Sequence, residues 1–457
     1  MYRKNWILAG MIGLCSLPLQ AQSLEELYRA ALRNDTTLSA SLSNARATDT
    51  RITEGRAALL PRLSLEGETG AEYRRSADGF PGLDEDGLTE YSAGAALVLS
   101  QNIFNRQAIS GYQAVQLMSR QSEAQVEAAR ASLLQRVVDA YLDVLKAREG
   151  VTLSERVIET VERQLEQTQE RYDVGLVAIT DVLEATATLD QSRADLLQAQ
   201  NGLALAQQNL SRITGVEIED LPRLGSDFNP SEVAIAELEQ WLALSRQNPE
   251  VVAGRFGIRA SEEERTANRS DLFPVVSAQA RYGYNASYID DRMGGTNPLT
   301  GEPNPIDDFQ DGGNFSISLT ATLSIPVYDG GSRRAGLDRS GYQIEAQQAQ
   351  LDGQIQQTEL AVRQFHQQVQ ADLSRIQALQ QVVSSRESAA EATELGYEVG
   401  SRNVVEVLNA QQALLNAQTD LSNARHNFLS NYFQLKEAAG DLRERDIQWL
   451  NEQLTRR

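Results

Sequence analysis

Four stretches of the chain alternate apolar with polar or small residues at period two, and each predicts a β-strand. From Pro61 onward, Leu63, Leu65, Gly67, Thr69, Ala71 and Tyr73 share one face, and Arg62, Ser64, Glu66, Glu68 and Glu72 share the other. Next, Tyr91, Ala93, Ala95, Leu97 and Leu99 oppose Ser92, Gly94 and Ser100. Val276, Ala278, Ala280, Tyr282, Tyr284 and Tyr288 form a third apolar row. In the fourth, Phe315, Ile317, Leu319, Ala321, Leu323, Ile325 and Val327 oppose Ser316, Ser318, Thr320, Thr322 and Ser324. Long strands with one apolar and one small or polar face match a barrel with lipid outside and water inside. A soluble sheet lying under a helix is the other reading of the same pattern. Four strands cannot close a barrel, since the smallest such barrels use eight. Several chains must therefore contribute, and three would supply twelve.

Between the strands the period changes. Asn105 to Arg171 contains no proline, and at 1.5 Å per residue it predicts a helix of roughly 100 Å; Ser332 to Tyr397 is its equivalent. The segments that follow keep a three/four spacing. One seam reads Val182, Ala185, Leu189, Ser192, Leu196, Ala199, Leu203, Ala206, Leu210 and Ile213. The other reads Val407, Ala410, Leu414, Ala417, Leu421, Ala424, Phe428, Asn431, Leu435 and Ala438. A sustained period of 3.5 is the coiled-coil signature, and the alanines permit close helix approach.

These elements occur twice. RYDVGLVAITDVLEATATLDQSRADLLQAQ from Arg171 matches GYEVGSRNVVEVLNAQQALLNAQTDLSNAR from Gly396. Tyr172 and Tyr397, Gly175 and Gly400, and Gly215 and Gly440 are each 225 apart. Upstream, Leu59-Leu60-Pro61 matches Leu272-Phe273-Pro274 at 213, and Asn34 matches Asn248 at 214. The difference is a longer insertion in the second copy, Asp290 to Gly313, rich in Gly, Pro, Asn and Asp and predicted to be a loop. Each copy runs helix, two strands, very long helix, tight turn, return helix.

Composition narrows the function. With 42 Lys and Arg against 63 Asp and Glu the net charge is −21, which argues against nucleic acid as a partner. Residues 1–21 read as a signal peptide: Arg3 and Lys4 precede an apolar run from Trp6 to Leu19, and cleavage follows Ala21. After it no run reaches the ~18–20 apolar residues of a spanning helix, so membrane entry would require strands. The only cysteine, Cys15, lies in that leader, and the two histidines, His366 and His426, read as helix surface or packing residues. No P-loop, Gly-x-Ser-x-Gly or metal-ligand cluster is present, so no catalytic residue, no metal and no cofactor is expected, and no enzyme.

At the turn sequences VGLVAITDV from Val174 and YEVGSRNVVEVLNA from Tyr397, the chain resembles the TolC-type outer-membrane efflux and type I secretion channels. The resemblance implies a mixed, internally duplicated fold: a long α-helical coiled-coil tunnel plus four β-strands per chain of a trimeric, 12-stranded transmembrane β-barrel. It implies a homotrimer in outer-membrane lipid, extending into the periplasm. Its partners would be a periplasmic adaptor (membrane fusion) protein and an inner-membrane pump or ABC transporter. It places a gate latch at Asp181, Tyr397 and Arg402, and a pore constriction at Glu406 and Asn409. The family has two Asp at the constriction, so Asn409 removes one carboxylate ring. Gly175 and Gly400 are the turn glycines. Asp181 with Glu184, and Asn403 with Glu406, also have the spacing of helix caps, a role compatible with the latch.

The chain thus divides into a signal peptide (1–21), first-copy helices (22–60), a first barrel hairpin (61–104), and a first long helix, turn and return helix (105–214). A collar segment (215–234) follows, then the second-copy helix (235–273), second hairpin (274–331), second long helix, turn and return helix (332–439), and a C-terminal collar segment (440–457). The expected function is the passive exit duct of a tripartite export system for drugs, proteins or both. A soluble periplasmic coiled-coil adaptor or scaffold is the alternative.

Overall fold

The computed structural model describes residues 22–74, 88–219, 221–225, 228–289, 300–301 and 312–455. The predicted signal peptide and most of the predicted Asp290–Gly313 loop lie outside the described residues. In chain order the elements are α1 (Leu24–Asn34), α2 (Thr36–Ala57), β1 (Arg62–Arg74), β2 (Leu88–Phe104), α3 (Arg106–Asp173) and α4 (Ile179–Thr214). Then come β3 (Arg223–Leu224), α5 (Leu238–Ser245), α6 (Pro249–Ser270), β4 (Val275–Ile289), β5 (Gly312–Ser324), α7 (Ser332–Glu398), α8 (Val404–Ala438), α9 (Glu444–Gln453) and β6 (Leu454–Thr455). The described residues fold into two compact units, one from within 22–42, 125–252 and 353–455, the other from within 43–124 and 253–352.

The first unit is helical. Leu133, Val137, Val138 and Tyr141 of α3 are buried with Leu210 of α4, Phe428 and Phe433 of α8, Ile447 and Leu450 of α9, and Leu24 and Leu27 of α1. A capping box starts α1: Ser23 accepts from the Glu26 amide, and the Glu26 carboxylate accepts from the Ser23 amide. A second cluster joins Val161 of α3, Ala185 and Leu189 of α4, Tyr397, and Val404, Val407 and Leu408 of α8. Of these residues, Ala185, Leu189, Leu210, Val407 and Phe428 belong to the two predicted seams. The two segments expected to form a collar are joined where β3 pairs antiparallel with β6; the C-terminal one also contains α9, which the sequence reading leaves unassigned.

The duplication extends to the helix ends. Gly215 and Gly440 both take φ +73°, the left-handed conformation that closes a helix. The Asn34 side-chain amide donates to the Arg212 and Ile213 carbonyls at 3.2 and 3.3 Å, and that of Asn248 donates to Glu437 and Ala438 at 3.2 and 3.0 Å. Each asparagine satisfies carbonyls that a helix end leaves without partners. A Cβ on either glycine would lie 2.7 Å from its asparagine. The matched Asn and Gly pairs are therefore one device used twice. The expected single second-copy helix is instead two, α5 and α6, broken before Pro249, which has no N–H to continue α5.

The second unit carries an antiparallel sheet of order β1-β2-β4-β5. Leu65 pairs with Leu97, Leu97 with Tyr282, and Tyr282 with Ile317, so the four apolar rows lie on one face. That face is bare: Leu65 is 75% exposed, Ile317 82% and Leu319 80%. The reading of the sheet as lying under a helix fails on this exposure. The opposite face holds Arg281, whose guanidinium donates to Glu66 at 2.8 Å, and also the buried Ala96 and Val98. Two boundaries differ from expectation. Gly312 and Gly313 belong to β5 rather than to the loop, and β5 ends at Ser324, so Ile325 and Val327 fall beyond it, where Pro326 has no ladder donor. Among the described residues no helix is long and apolar enough to cross a membrane.

Candidate functional site

The two turns between the long and return helices hold the predicted gate residues. Each long helix ends in the same way. Gly175 takes φ +79° and Gly400 φ +75°. The Gly175 amide donates to the Tyr172 carbonyl and the Leu176 amide to Arg171, both at 2.8 Å. The Gly400 amide donates to Tyr397 at 3.0 Å and the Ser401 amide to Gly396 at 2.8 Å. This is the Schellman pattern, which needs a left-handed residue that glycine supplies without strain.

The return helices start differently. Asn403 caps α8: its side-chain oxygen accepts from the Glu406 amide at 2.9 Å, and the Glu406 carboxylate accepts from the Asn403 amide at 3.0 Å. Arg402 donates to the same carboxylate at 2.8 Å. The Asn403 amide first, and then Arg402, hold the Glu406 carboxyl below the usual carboxylate range. The corresponding cap of α4 is Ala178, which offers no side-chain bond. Asp181 is therefore not a cap; it lies in the first turn of α4, where a carboxylate favours the helix dipole.

Within one chain the structure does not bring Asp181, Tyr397 and Arg402 together. Arg402 is on Glu406. Tyr397 is 5% exposed, and its hydroxyl lies 3.3 Å from Thr168 Oγ1. Thr168 gives its own hydroxyl proton to the Gln164 carbonyl at 2.7 Å, so Tyr397 is the donor. Arg171 stacks over the Tyr397 ring at 4.4 Å and donates to the Tyr397 carbonyl at 3.1 Å, countering the negative end of α7. Among the described residues the Asp181 side chain has no hydrogen-bond or ion-pair partner. Asn409 is exposed on α8, one turn beyond Glu406.

Sequence reasoning missed Thr168 and Arg171, which hold Tyr397. It also left Val174, Leu176 and Val399 unassigned; they are 71%, 70% and 80% exposed and form an apolar rim on the turns. Their signal was present in the turn motifs themselves, where three branched apolar residues flank the two glycines. Among the described residues no cluster of His, Cys, Asp and Glu could hold a metal ion.

Comparison with known proteins follows the same elements. A family model described as outer membrane efflux protein matches residues 27–216 and 242–441, one segment per copy. The chain is similar to the outer membrane protein TolC of Vibrio cholerae, 30% identical over 446 residues that cover 96% of this chain and 95% of that protein. It is similar to the alkaline protease secretion protein AprF of Pseudomonas aeruginosa, 27% identical over 449 residues, covering 97% and 90%. In fold it is like the outer-membrane channel OprN, with a TM-score of 0.76 at 19% identity over 92% of this chain and 90% of that one.

Proposed function

The chain belongs to the outer membrane efflux protein family, and from that premise we propose that it is the outer-membrane exit duct of a tripartite export machine. The observation that carries this reading is the sheet: four long strands in register, an exposed apolar face, and β1 and β5 as open edges. Bare backbone edges and an apolar face have one solution in lipid, which is closure with further copies. Three chains supply the twelve strands of a closed barrel, and the long helices continue it into the periplasm. The duct is passive and needs no catalytic group. An inner-membrane pump or ABC transporter supplies the energy, and a periplasmic adaptor docks at the turns, where Val174, Leu176 and Val399 offer an apolar surface.

The gate lies at those turns. Asp181 has no partner among the described residues of its own chain, so in this reading the latch runs between copies, from Asp181 of one to Arg402 of a neighbour. Arg402 then shares its charge between Asp181 and its own Glu406. A charge-assisted contact repeated around a trimer holds the end shut yet can be broken. Glu406 gives the constriction one ring of carboxylates, already offset by Arg402, and Asn409 adds none.

Protein purified in detergent and placed in planar bilayers should form a low-conductance pore that runs as a heat-modifiable trimer. Arg402→Glu should raise the conductance several-fold. A water-soluble monomer, or no conductance in either form, would refute the channel reading. Unchanged conductance in the variant would refute the latch alone. A deletion strain scored for drug sensitivity and for its secreted proteins separates the two cargo classes; AprF is named for protease secretion, and that role extends to this chain only if secreted proteins are lost.

A further inference from the structure

Each of the two turns carries one arginine, but at different places in the repeat. At the 225-residue offset, Arg171 of the first copy matches Gly396 of the second, and Val177 matches Arg402. Gly396 lies in the last turn of α7. It is not among the glycines with positive φ, so its backbone, unlike that of Gly400, does not itself require glycine. What requires it is Arg402. A Cβ on Gly396 would stand 2.7 Å from Arg402 Cγ, well inside the ~3.5–4.0 Å at which carbon atoms pack. The Gly396 carbonyl also accepts from the Arg402 amide at 3.1 Å. The bare Cα is therefore a seat for the stem of Arg402.

The seat decides where the guanidinium goes. Arg402 donates to Glu406 at 2.8 Å, yet its side chain is 57% exposed. That pair is weak by itself, because an exposed ion pair gains little over hydration and must hold a long side chain in one geometry. Arg402 also stands just before the N-terminus of α8, where the helix dipole disfavours a cation. Contact with Gly396 supplies what the pair lacks. It fixes the start of the side chain and lays it over the last turn of α7, whose negative end favours the charge. Cγ is near the root of the side chain. Displacing it turns χ1 and swings the guanidinium away from Glu406.

We propose that Gly396 is a positioning residue of the gate: it seats Arg402 on Glu406 of its own chain and so limits the charge left for Asp181 of a neighbouring copy. The seat is a property of one chain, and its effect on the gate rests on the latch between copies. A side chain at position 396 pushes Arg402 off Glu406 and toward the neighbour, so the latch tightens. This sign is opposite to that of damage. Alanine is a better helix former than glycine, so Gly396→Ala stabilises α7, whereas a disrupted turn would leak. The first turn obeys the same rule: Arg171 occupies the place of Gly396, and position 177 holds no arginine to seat.

The test is Gly396→Ala in the full chain, purified in detergent, alone and combined with Asp181→Asn. Mean current through planar bilayers should fall about threefold in the single variant, and the fall should vanish in the Asp181→Asn background. Glu406 would lose Arg402 but keep the Asn403 amide, so the acid step in amide protection at the start of α8 should move up by about half a pH unit. The thermal midpoint should hold or rise. Unchanged or increased current, or a fall that persists without Asp181, would overturn the role in the gate. An unmoved acid step, or a lowered midpoint that shows the turn yielding instead of Arg402, would overturn the seat itself. If the wild-type protein forms no pore, the channel reading fails and the gate role with it, while the acid step still decides the seat.

Discussion

The two helical turns end their long helices alike and begin their return helices differently. Gly175 and Gly400 close the helices with the same two bonds, because reversing the chain in so few residues leaves few backbone solutions. Beyond the glycines the copies diverge through side chains at matched positions. Ala178 stands where Asn403 caps, and Val177 where Arg402 pairs with Glu406. Tyr172 is 37% exposed, whereas Tyr397 is buried under Arg171. Among the described residues the first turn's carboxylate, Asp181, has no partner, whereas the second turn's Glu406 is held by Asn403 and Arg402. The two copies share the backbone geometry of the turn and differ in single side chains at matched positions. The same asymmetry recurs at the far end of the return helices, where an exposed Arg212 corresponds to Glu437.

The strongest way to break this comparison is to truncate both tyrosines. Tyr397→Ala should cost about 3–5 kcal/mol, as for other buried aromatics, and Tyr172→Ala about 0.5 kcal/mol or less. Denaturant midpoints of the detergent-solubilised protein would show the gap, and equal shifts would abolish the distinction.

Next in size is Glu437. Burial, then Asp139 and Glu250, push its carboxyl from 4.5 up to about 7, against a smaller pull from Arg136. The folded chain therefore holds this proton more tightly than the unfolded one. The contribution of this group to stability is greatest below pH 4.5 and declines as pH rises toward about 7, by ~3 kcal/mol in all. Glu437→Gln should recover most of that at pH 8 and nothing at pH 4, while Arg212→Gln should change little at either; thermal midpoints against pH decide it.

A smaller effect sharpens the caps. Asn403→Ala should cost about 1 kcal/mol, and Ala178→Asn should gain up to about that amount by supplying the missing cap. Hydrogen exchange in the first turns of α4 and α8 reads both. Smallest of all, folding lowers the Glu406 carboxyl, so its contribution is present above pH 4.5 and lost only as pH falls below the ordinary carboxylate range. Amide protection at the start of α8 should hold from pH 7 to pH 5 and fade in stronger acid.

The sheet was legible because strand side chains alternate strictly, so Leu65, Leu97, Tyr282 and Ile317 declare a common face before any register is known. The seams were legible for the same reason at period 3.5. Tyr397's environment was not, because Thr168 and Arg171 lie on a helix more than 220 residues away in sequence, and no local pattern encodes that packing. Asp181 misled because cap spacing alone does not fix where a helix begins; the backbone reversal does. The repeat offset held the better clue, since it aligns Asn403 with Ala178. Glu437 was invisible because burial of a charged or titratable side chain is decided by neighbours from three or four elements at once.

The open flanks of the sheet also dictate an order of events in biogenesis. β1 and β5 each run 13 residues with one side unzipped, and every orphaned N–H or C=O in hydrocarbon costs several kcal/mol. A solitary polypeptide would face a penalty of tens of kcal/mol on entering the bilayer, so subunits must join before or during insertion, never after it. One defective flank in one subunit would then leave the whole cylinder unsealed, and a damaged allele should poison assemblies built with sound copies.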